Sequence, residues 1–156
     1  MLLLLLFLVV FGGLFALSYA YVVPAEDAVI LYEYAKNFAQ SGLITYGGAS
    51  HPIEGATDFL WMVLIAFFKV LGINEFGTAL FVNFLCLAFM ASLFRDSIEK
   101  LLVGAAFLLT PFLYSSLSGF STITFSALYV MAIKLLLDRS KYLYVSILLL
   151  CLVRPD

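Results

Sequence analysis

Six of the ten carboxylates in this chain fall within one stretch, and they are the side chains best suited to chemistry: Glu26, Asp27, Glu33, Glu54, Asp58 and Glu75. Glu26 and Asp27 are adjacent and directly follow the first apolar run. A carboxylate at such a desolvating boundary holds its proton more tightly and can accept a proton from an alcohol. We therefore expect Glu26 and Asp27 to be general bases, while a helix N-terminus with favourable charges is the simpler alternative.

The same stretch holds three other polar residues, of which His51 could be catalytic and Glu54 could bind a polar ligand. His51 is the only histidine, and it lies before a proline in a turn-rich segment, where a lone histidine is most often a surface residue. Glu54 precedes a short apolar run, where it could cap a helix or bind a ligand. Lys36 lies on the polar face of the preceding predicted helix. The two cysteines lie in apolar runs, and the chain has no Cys/His spacing typical of zinc or haem.

Composition fixes the class of protein that must position these residues. Of 156 residues, 65% are hydrophobic and 12% are charged, against about 45–50% and about 25% in soluble domains. Neither a water-soluble fold nor a disordered chain has such a composition. Eight basic residues against ten acidic ones cannot form a basic patch, which excludes nucleic acid as a partner. We predict an all-α, polytopic membrane protein.

Apolar runs divide the chain into spans and one polar loop. Leu2–Val23 is long enough for a bilayer of about 30 Å. A signal peptide is the alternative because Ser18-Tyr19-Ala20 has small residues, but no basic segment precedes it. A kink is expected at Thr110-Pro111. The prediction is about five transmembrane helices, at 1–23, 77–94, 101–117, 121–137 and 142–153, with an extracytoplasmic loop at 24–75.

Two interfacial helices are predicted within that loop. The first begins near Glu26 and ends at Ser41-Gly42, with an apolar stripe at helical spacing. That stripe consists of Ile30, Leu31, Tyr34, Ala35 and Phe38. The second, Phe59–Gly72, is short for a span and carries Lys69. The positive-inside rule permits either orientation of the loop, and the shortness of Phe59–Gly72 favours the interfacial, extracytoplasmic arrangement.

Several short motifs are similar, in order and spacing, to those of bacterial GT-C membrane glycosyltransferases that use polyprenyl-phosphate sugars, a group that includes arabinofuranosyltransferase-like proteins. The motifs are Glu26-Asp27-Ala28-Val29-Ile30, Tyr34-Ala35-Lys36-Asn37, Gly42-Leu43, Ile53-Glu54-Gly55, Phe59-Leu60-Trp61, Leu117-Ser118-Gly119-Phe120-Ser121-Thr122 and Val153-Arg154-Pro155-Asp156. This resemblance implies a GT-C-like membrane module in the bacterial inner (plasma) membrane, crossing it several times.

The resemblance also implies an activity. A sugar would move from a polyprenyl-phosphate donor to a hydroxyl of a glycan or lipid acceptor on the extracytoplasmic face, in cell-envelope synthesis. Glu26 and Asp27 would be catalytic. The substrate-binding residues would be Glu54, Lys36, His51 and Arg154. No organic cofactor is expected, and a divalent metal is possible. The bilayer is the other implied partner.

The chain departs from the resembled pattern at several positions. Glu33 replaces an arginine, Asp58 an asparagine and Ser121 a glutamate. The last apolar run is followed by no loop, so we expect the chain to be the N-terminal part of a longer enzyme that is interrupted at Asp156. The alternative is a non-catalytic membrane subunit or a transporter fragment, which neutral replacement of the loop carboxylates would leave functional.

Overall fold

The computed structural model describes residues 2–47, 51–52, 57–93, 97–109 and 111–153. Within those residues the fold is all-helical, as predicted, and its helices are α1 (Leu2–Tyr21), α2 (Glu26–Ser41), α3 (Phe59–Val70), α4 (Glu75–Leu93), α5 (Ser97–Leu109), α6 (Phe112–Leu117), α7 (Thr122–Leu137) and α8 (Leu143–Val153). Helix α2 is amphipathic and carries more polar and charged side chains than any other helix.

One described helix, α4, is long and apolar enough to cross a membrane by itself. Leu5–Tyr21 passes the same test only together with Glu26–Ser41, from which it is bent by 85°. Helices α3, α7 and α8 are apolar but shorter. The fold is therefore compatible with membrane association through α4, and the five-span arrangement remains a prediction.

Helix α2 has the bounds that its sequence predicts. Ala25 is extended, with φ −63° and ψ 151°, so the helix begins at Glu26. Gly42 ends the helix in the left-handed region, at φ 72°, and its amide donates to the Phe38 carbonyl at 2.9 Å. Glycine suits this position because it has no Cβ to oppose a positive φ. The adjacent carboxylates Glu26 and Asp27 are thereby placed in the first helical turn.

The buried face of α2 is wider than the predicted stripe. Tyr34 and Ala35 are buried as predicted, and Ala28 and Tyr32 are buried as well. The three other residues of the predicted stripe are partly exposed: Ile30, Leu31 and Phe38. Helix α3 packs along α2 on one side, and the turn after α6 contacts it on another, so two surfaces cover it.

The structure divides the predicted span 101–117 into two helices. Helix α5 ends at Leu109 and α6 begins at Phe112, with Pro111 between them. Proline lacks the backbone N–H of a helical hydrogen bond, and its ring clashes with the preceding turn. The short helix α6 then ends in a turn, Ser118-Gly119-Phe120-Ser121, which we call the serine turn.

Helix α4 lies at the centre of the packing. Helices α1, α3 and α7 all contact it, and α3 also contacts α2 and α8. On the α1 side, the Phe15 and Phe84 rings lie 6.0 Å apart between centroids. On the other side, Trp61, Met62 and Ile65 of α3 are completely or almost completely buried. This core holds the start of α2, the start of α3 and the serine turn close together.

Candidate functional site: a cleft with two carboxylates

Two aspartates, at the starts of two different helices, line one cleft of about 360 Å³. Asp27 comes from the first turn of α2, and Asp58 immediately precedes α3. The serine turn closes a further side. The lining residues are Asp27, Ala28, Ile30, Leu31, Thr57, Asp58, Trp61, Gly119, Phe120 and Ser121. We call this feature the carboxylate cleft.

A hydrogen bond fixes the Asp58 carboxylate. The hydroxyl of Ser121 donates to Asp58 Oδ2 at 2.5 Å, across 63 positions of sequence. Asp58 occupies the N-cap position of α3, but its side chain makes no capping hydrogen bond there. Ser121 is 1% exposed, so the donor itself is held by its surroundings. Asp58 is therefore directed toward the serine turn and the cleft instead of capping its own helix.

The serine turn is tied to α2 by two further hydrogen bonds. The Ala25 amide donates to the Ser118 carbonyl at 3.0 Å, and the Tyr32 hydroxyl donates to the Gly119 carbonyl at 3.1 Å. Gly119 has φ +97°, and a Cβ added there would collide with the Tyr32 hydroxyl. Both the backbone conformation and the close approach of Tyr32 therefore require glycine at position 119.

Tyr32 serves as a permanent donor in this contact. Burial raises the pKa of its phenol, and the negative charge of Glu75 raises that pKa further. Both effects disfavour the phenolate. The hydroxyl therefore stays protonated and keeps the serine turn attached to α2 throughout the physiological pH range.

Asn83 ties the same turn to α4. Its Nδ2 donates to the carbonyls of Ser116, at 3.1 Å, and Phe120, at 2.8 Å. Its Oδ1 accepts from Thr124 Oγ1 at 3.3 Å. The side chain is completely buried, and both amide protons are used, as a buried amide requires. The serine turn is thus held from α2, from α4 and from Asp58.

Of the predicted site residues that the structure describes, only Asp27 lines the carboxylate cleft. Its neighbour Glu26 does not line the cleft, although both side chains are exposed. Lys36 lies 3.4 Å from Glu33 on the solvent side of α2, and His51 is exposed. Neither Lys36 nor His51 lines the cleft. The two remaining candidates, Glu54 and Arg154, lie outside the described residues.

Three residues that line the cleft are not among the catalytic or substrate-binding residues predicted from the sequence: Asp58, Ser121 and Trp61. In the sequence Asp58 is one of the six clustered carboxylates, and both Asp58 and Ser121 are departures from the resembled motifs, but neither observation gives a reason to place them in contact. Trp61 is the only tryptophan and is 1% exposed. Its indole nitrogen has no hydrogen-bond partner among the described residues.

Trp61 also lines a second cavity, of about 390 Å³. Its other lining residues are almost all apolar and come from α3, α4, α7 and the end of α8; they include Leu64, Phe89, Met131 and Val153. We call this feature the apolar cavity. One side chain therefore belongs to the walls of both a polar cleft and an apolar one.

The oxygen atoms of the cleft offer only an incomplete metal site. Asp27 and Asp58 are its two carboxylates. Across the described ranges, no three His, Cys, Asp or Glu side chains come together. Magnesium is commonly bound by one or two carboxylates when substrate phosphates and water complete its coordination. These two aspartates are the residues that could hold such an ion.

No family model, curated protein or solved structure matches this chain.

Proposed function

We propose that this chain carries the catalytic loop of a membrane glycosyltransferase, which moves a sugar from a polyprenyl-phosphate donor to a hydroxyl acceptor. One observation carries the proposal: Trp61 is shared by the carboxylate cleft and the apolar cavity. A lipid-linked sugar is polar at one end and apolar at the other, and a site for it needs both environments side by side. The chemistry belongs in the cleft, because the cleft holds the carboxylates.

The apolar cavity is suited to the first isoprene units of the donor. Leu64 and Phe89 contribute apolar side chains to it from two different helices. Transfer of hydrocarbon surface into such a cavity is favourable by about 25 cal/mol per Å². The lipid-linked phosphate would then lie near Trp61, whose buried indole N–H is a donor without a partner in the described part of the chain.

In the cleft, Asp27 is assigned the role of general base. The oxygen of the acceptor hydroxyl forms a bond to the anomeric carbon, and the bond from that carbon to the phosphate oxygen breaks. The phosphate leaves with the electron pair, and the proton of the hydroxyl moves to the Asp27 carboxylate. Asp58, held by Ser121, is assigned to orient a sugar or acceptor hydroxyl by accepting its hydrogen bond.

The leaving phosphate needs a positive partner. Among the described residues that line the cleft there is no lysine or arginine. We assign this role to Arg154, as the resemblance implies, or to a divalent cation, for which Asp27 and Asp58 would be the carboxylate ligands. Such a positive charge would stabilise the phosphate as its bond to the sugar breaks.

Two departures from the resembled pattern support the same cleft. Where that pattern has asparagine and glutamate, this chain has Asp58 and Ser121. The side chains of these two residues are hydrogen-bonded to each other. In the resembled pattern the carboxylate of this pair belongs to the serine turn, whereas in this chain it belongs to the residue before α3. The pair therefore contributes one negative charge to the cleft in both cases.

We place the protein in the bacterial plasma membrane, crossing it several times. In this arrangement α4 crosses as a single helix, and α1, α5 together with α6, α7 and α8 cross beside it. Helices α2 and α3 lie along the extracytoplasmic surface, which the 85° bend between α1 and α2 supports. The cleft then opens where a lipid-linked donor and an envelope acceptor can both reach it.

Two adjacent carboxylates provide a matched test. In the protein made from its complete gene, Asp27→Asn should lower kcat for sugar transfer by about 10²–10⁴-fold, the usual contribution of a general base. Glu26→Gln removes the same charge one position earlier, outside the cleft lining, and should change kcat less than about threefold. Asp58→Asn should lower kcat by a factor between those of the two other variants.

The assay follows a radiolabelled sugar from polyprenyl phosphate to acceptor in proteoliposomes, with equal amounts of inserted protein. Equal turnover in the Asp27→Asn variant and the wild type would remove the base from the proposal. If Asp58→Asn also left transfer unchanged, the non-catalytic subunit would become the better account of this chain.

A further inference from the structure

A polar side chain lies in the middle of an apolar helix at the centre of the fold. Asn83 belongs to α4, the one described helix that qualifies as a span by itself. A buried amide in an apolar helix is costly unless all of its hydrogen-bonding groups are satisfied. Asn83 meets this requirement with three hydrogen bonds, and each of them reaches the end of α6, the serine turn or the first turn of α7.

The partners of Asn83 occupy the two sides of the serine turn. Ser116 and Phe120 accept its two amide protons, and Thr124 donates to its oxygen. Between these partners lie Gly119, held by Tyr32, and Ser121, which donates to Asp58. Asn83 itself does not line the carboxylate cleft. Its side-chain hydrogen bonds therefore reach the cleft through the turn.

We propose that Asn83 is a positioning residue for the cleft: it fixes the serine turn on α4 so that Ser121 keeps the Asp58 carboxylate directed into the site. This inference deepens the proposed function and rests on it for its catalytic consequence. Its structural content is the linkage from α4 to Asp58, which can be measured without any turnover. Replacing Asn83 with an apolar residue takes the side-chain donor from the Phe120 carbonyl and leaves the Ser116 carbonyl with only the 3.4 Å contact from the Gly119 amide, and the turn then moves away from α4 to satisfy them.

The first measurement uses Trp61, the only tryptophan, which lines the cleft together with Phe120 and Ser121. In the purified full chain, Asn83→Leu should shift the Trp61 emission to the red and raise its quenching by acrylamide. The matched control is Ser146→Ala. It removes another buried side-chain hydrogen bond to a backbone carbonyl, from α8 to Leu128 of α7, away from the turn. That control should keep the wild-type emission and quenching.

The second measurement is a double-mutant cycle on kcat/KM for sugar transfer. Asn83→Leu should lower kcat/KM about tenfold in the wild-type background and less than about twofold in a Ser121→Ala background, because the linkage is already broken there. If Asn83 acted only through overall stability, Asn83→Leu would lower kcat/KM by the same factor in both backgrounds. The Ser146→Ala control should change kcat/KM less than about twofold in either background.

A milder variant keeps the test valid if Asn83→Leu does not fold. Thr124→Val removes the hydrogen that Asn83 Oδ1 accepts and leaves both carbonyl contacts in place. It should change Trp61 emission in the same direction, by less. Unchanged Trp61 emission in every folded variant at positions 83 and 124, or additive effects in the cycle, would overturn the inference. A changed Trp61 signal in a protein that transfers no sugar would leave the linkage standing and remove the proposed function.

Discussion

Gly119 determines how closely the serine turn can approach α2. Its φ of +97° is a conformation that other residues adopt only with strain, and the Tyr32 hydroxyl occupies the space of a Cβ. The hydrogen bond from that hydroxyl to the Gly119 carbonyl holds the same two elements together. One backbone position thus combines a conformational requirement, a steric one and a polar contact.

These three effects can be separated by substitution. Tyr32→Phe should lower the free energy of unfolding by about 1–2 kcal/mol, because the buried Gly119 carbonyl loses its donor. Gly119→Ala should cost more, since strain at positive φ alone is about 1–3 kcal/mol. The double variant should be less destabilised than the sum of the two, because removal of the hydroxyl makes room for the added methyl group. Thermal unfolding in detergent measures all three, and strict additivity would contradict the proposed collision.

The raised pKa of Tyr32 predicts a dependence of stability on alkaline pH. An unfolded tyrosine titrates near pH 10, and burial with the charge of Glu75 places the folded-state pKa above that value. The folded protein therefore binds this proton more tightly. The resulting stability is complete below about pH 10 and is lost as the pH rises toward the folded-state pKa. The difference in Tm between wild type and Tyr32→Phe should shrink above pH 10, and a constant difference would contradict the assignment.

At the scale of the elements, the ion pair between Lys69 and Glu75 fixes the corner from α3 to α4. Lys69 lies near the end of α3, Glu75 begins α4, and their charged atoms are 2.8 Å apart. The Glu75 side chain is only 14% exposed, whereas the Lys36–Glu33 pair on α2 is 43% and 38% exposed. Water screens the second pair far more than the first. The pair therefore ties the end of α3, the helix that carries Trp61, to the start of α4, the helix that carries Asn83.

Neutralising one lysine of each pair compares a partly buried contact with an exposed one. Lys69→Gln should lower the free energy of unfolding by about 1–3 kcal/mol, because a largely buried carboxylate loses its partner. Lys36→Gln should cost less than about 0.5 kcal/mol. Thermal unfolding at low and high salt distinguishes the two, and equal losses of stability would show that burial at the α3–α4 corner does not matter.

At the scale of the whole molecule, the helical fold and the bounds of α2 could be predicted from the sequence, because composition and local capping decide them. Pro111 marked the end of α5 for the same local reason. The contact between Asp58 and Ser121 could not be predicted, since it depends on how α3 and the serine turn pack around α4. Asp27 was identified from its place after an apolar run, but only packing separates it from Glu26.

The proposed membrane arrangement predicts which positions of the chain are accessible from outside the cell. In a variant with Cys86 and Cys151 replaced by alanine, a membrane-impermeant maleimide added to intact cells should label Ser41→Cys. The maleimide should label Asp138→Cys only after the membrane is permeabilised. Both positions are exposed in the fold, so the membrane alone accounts for a difference. Labelling of both from outside would contradict the arrangement.

The central claim is that the carboxylate cleft and the apolar cavity together bind one lipid-linked sugar, and Trp61 reports on both. The most direct measurement is the emission of this single tryptophan during titration with a polyprenyl-phosphate sugar in detergent micelles. We predict a saturable change that Asp27→Asn retains, since this variant loses the base and keeps the walls of the site. The free polyprenyl alcohol should produce a weaker, higher-concentration change. An emission spectrum that stays constant over the whole titration would contradict the claim.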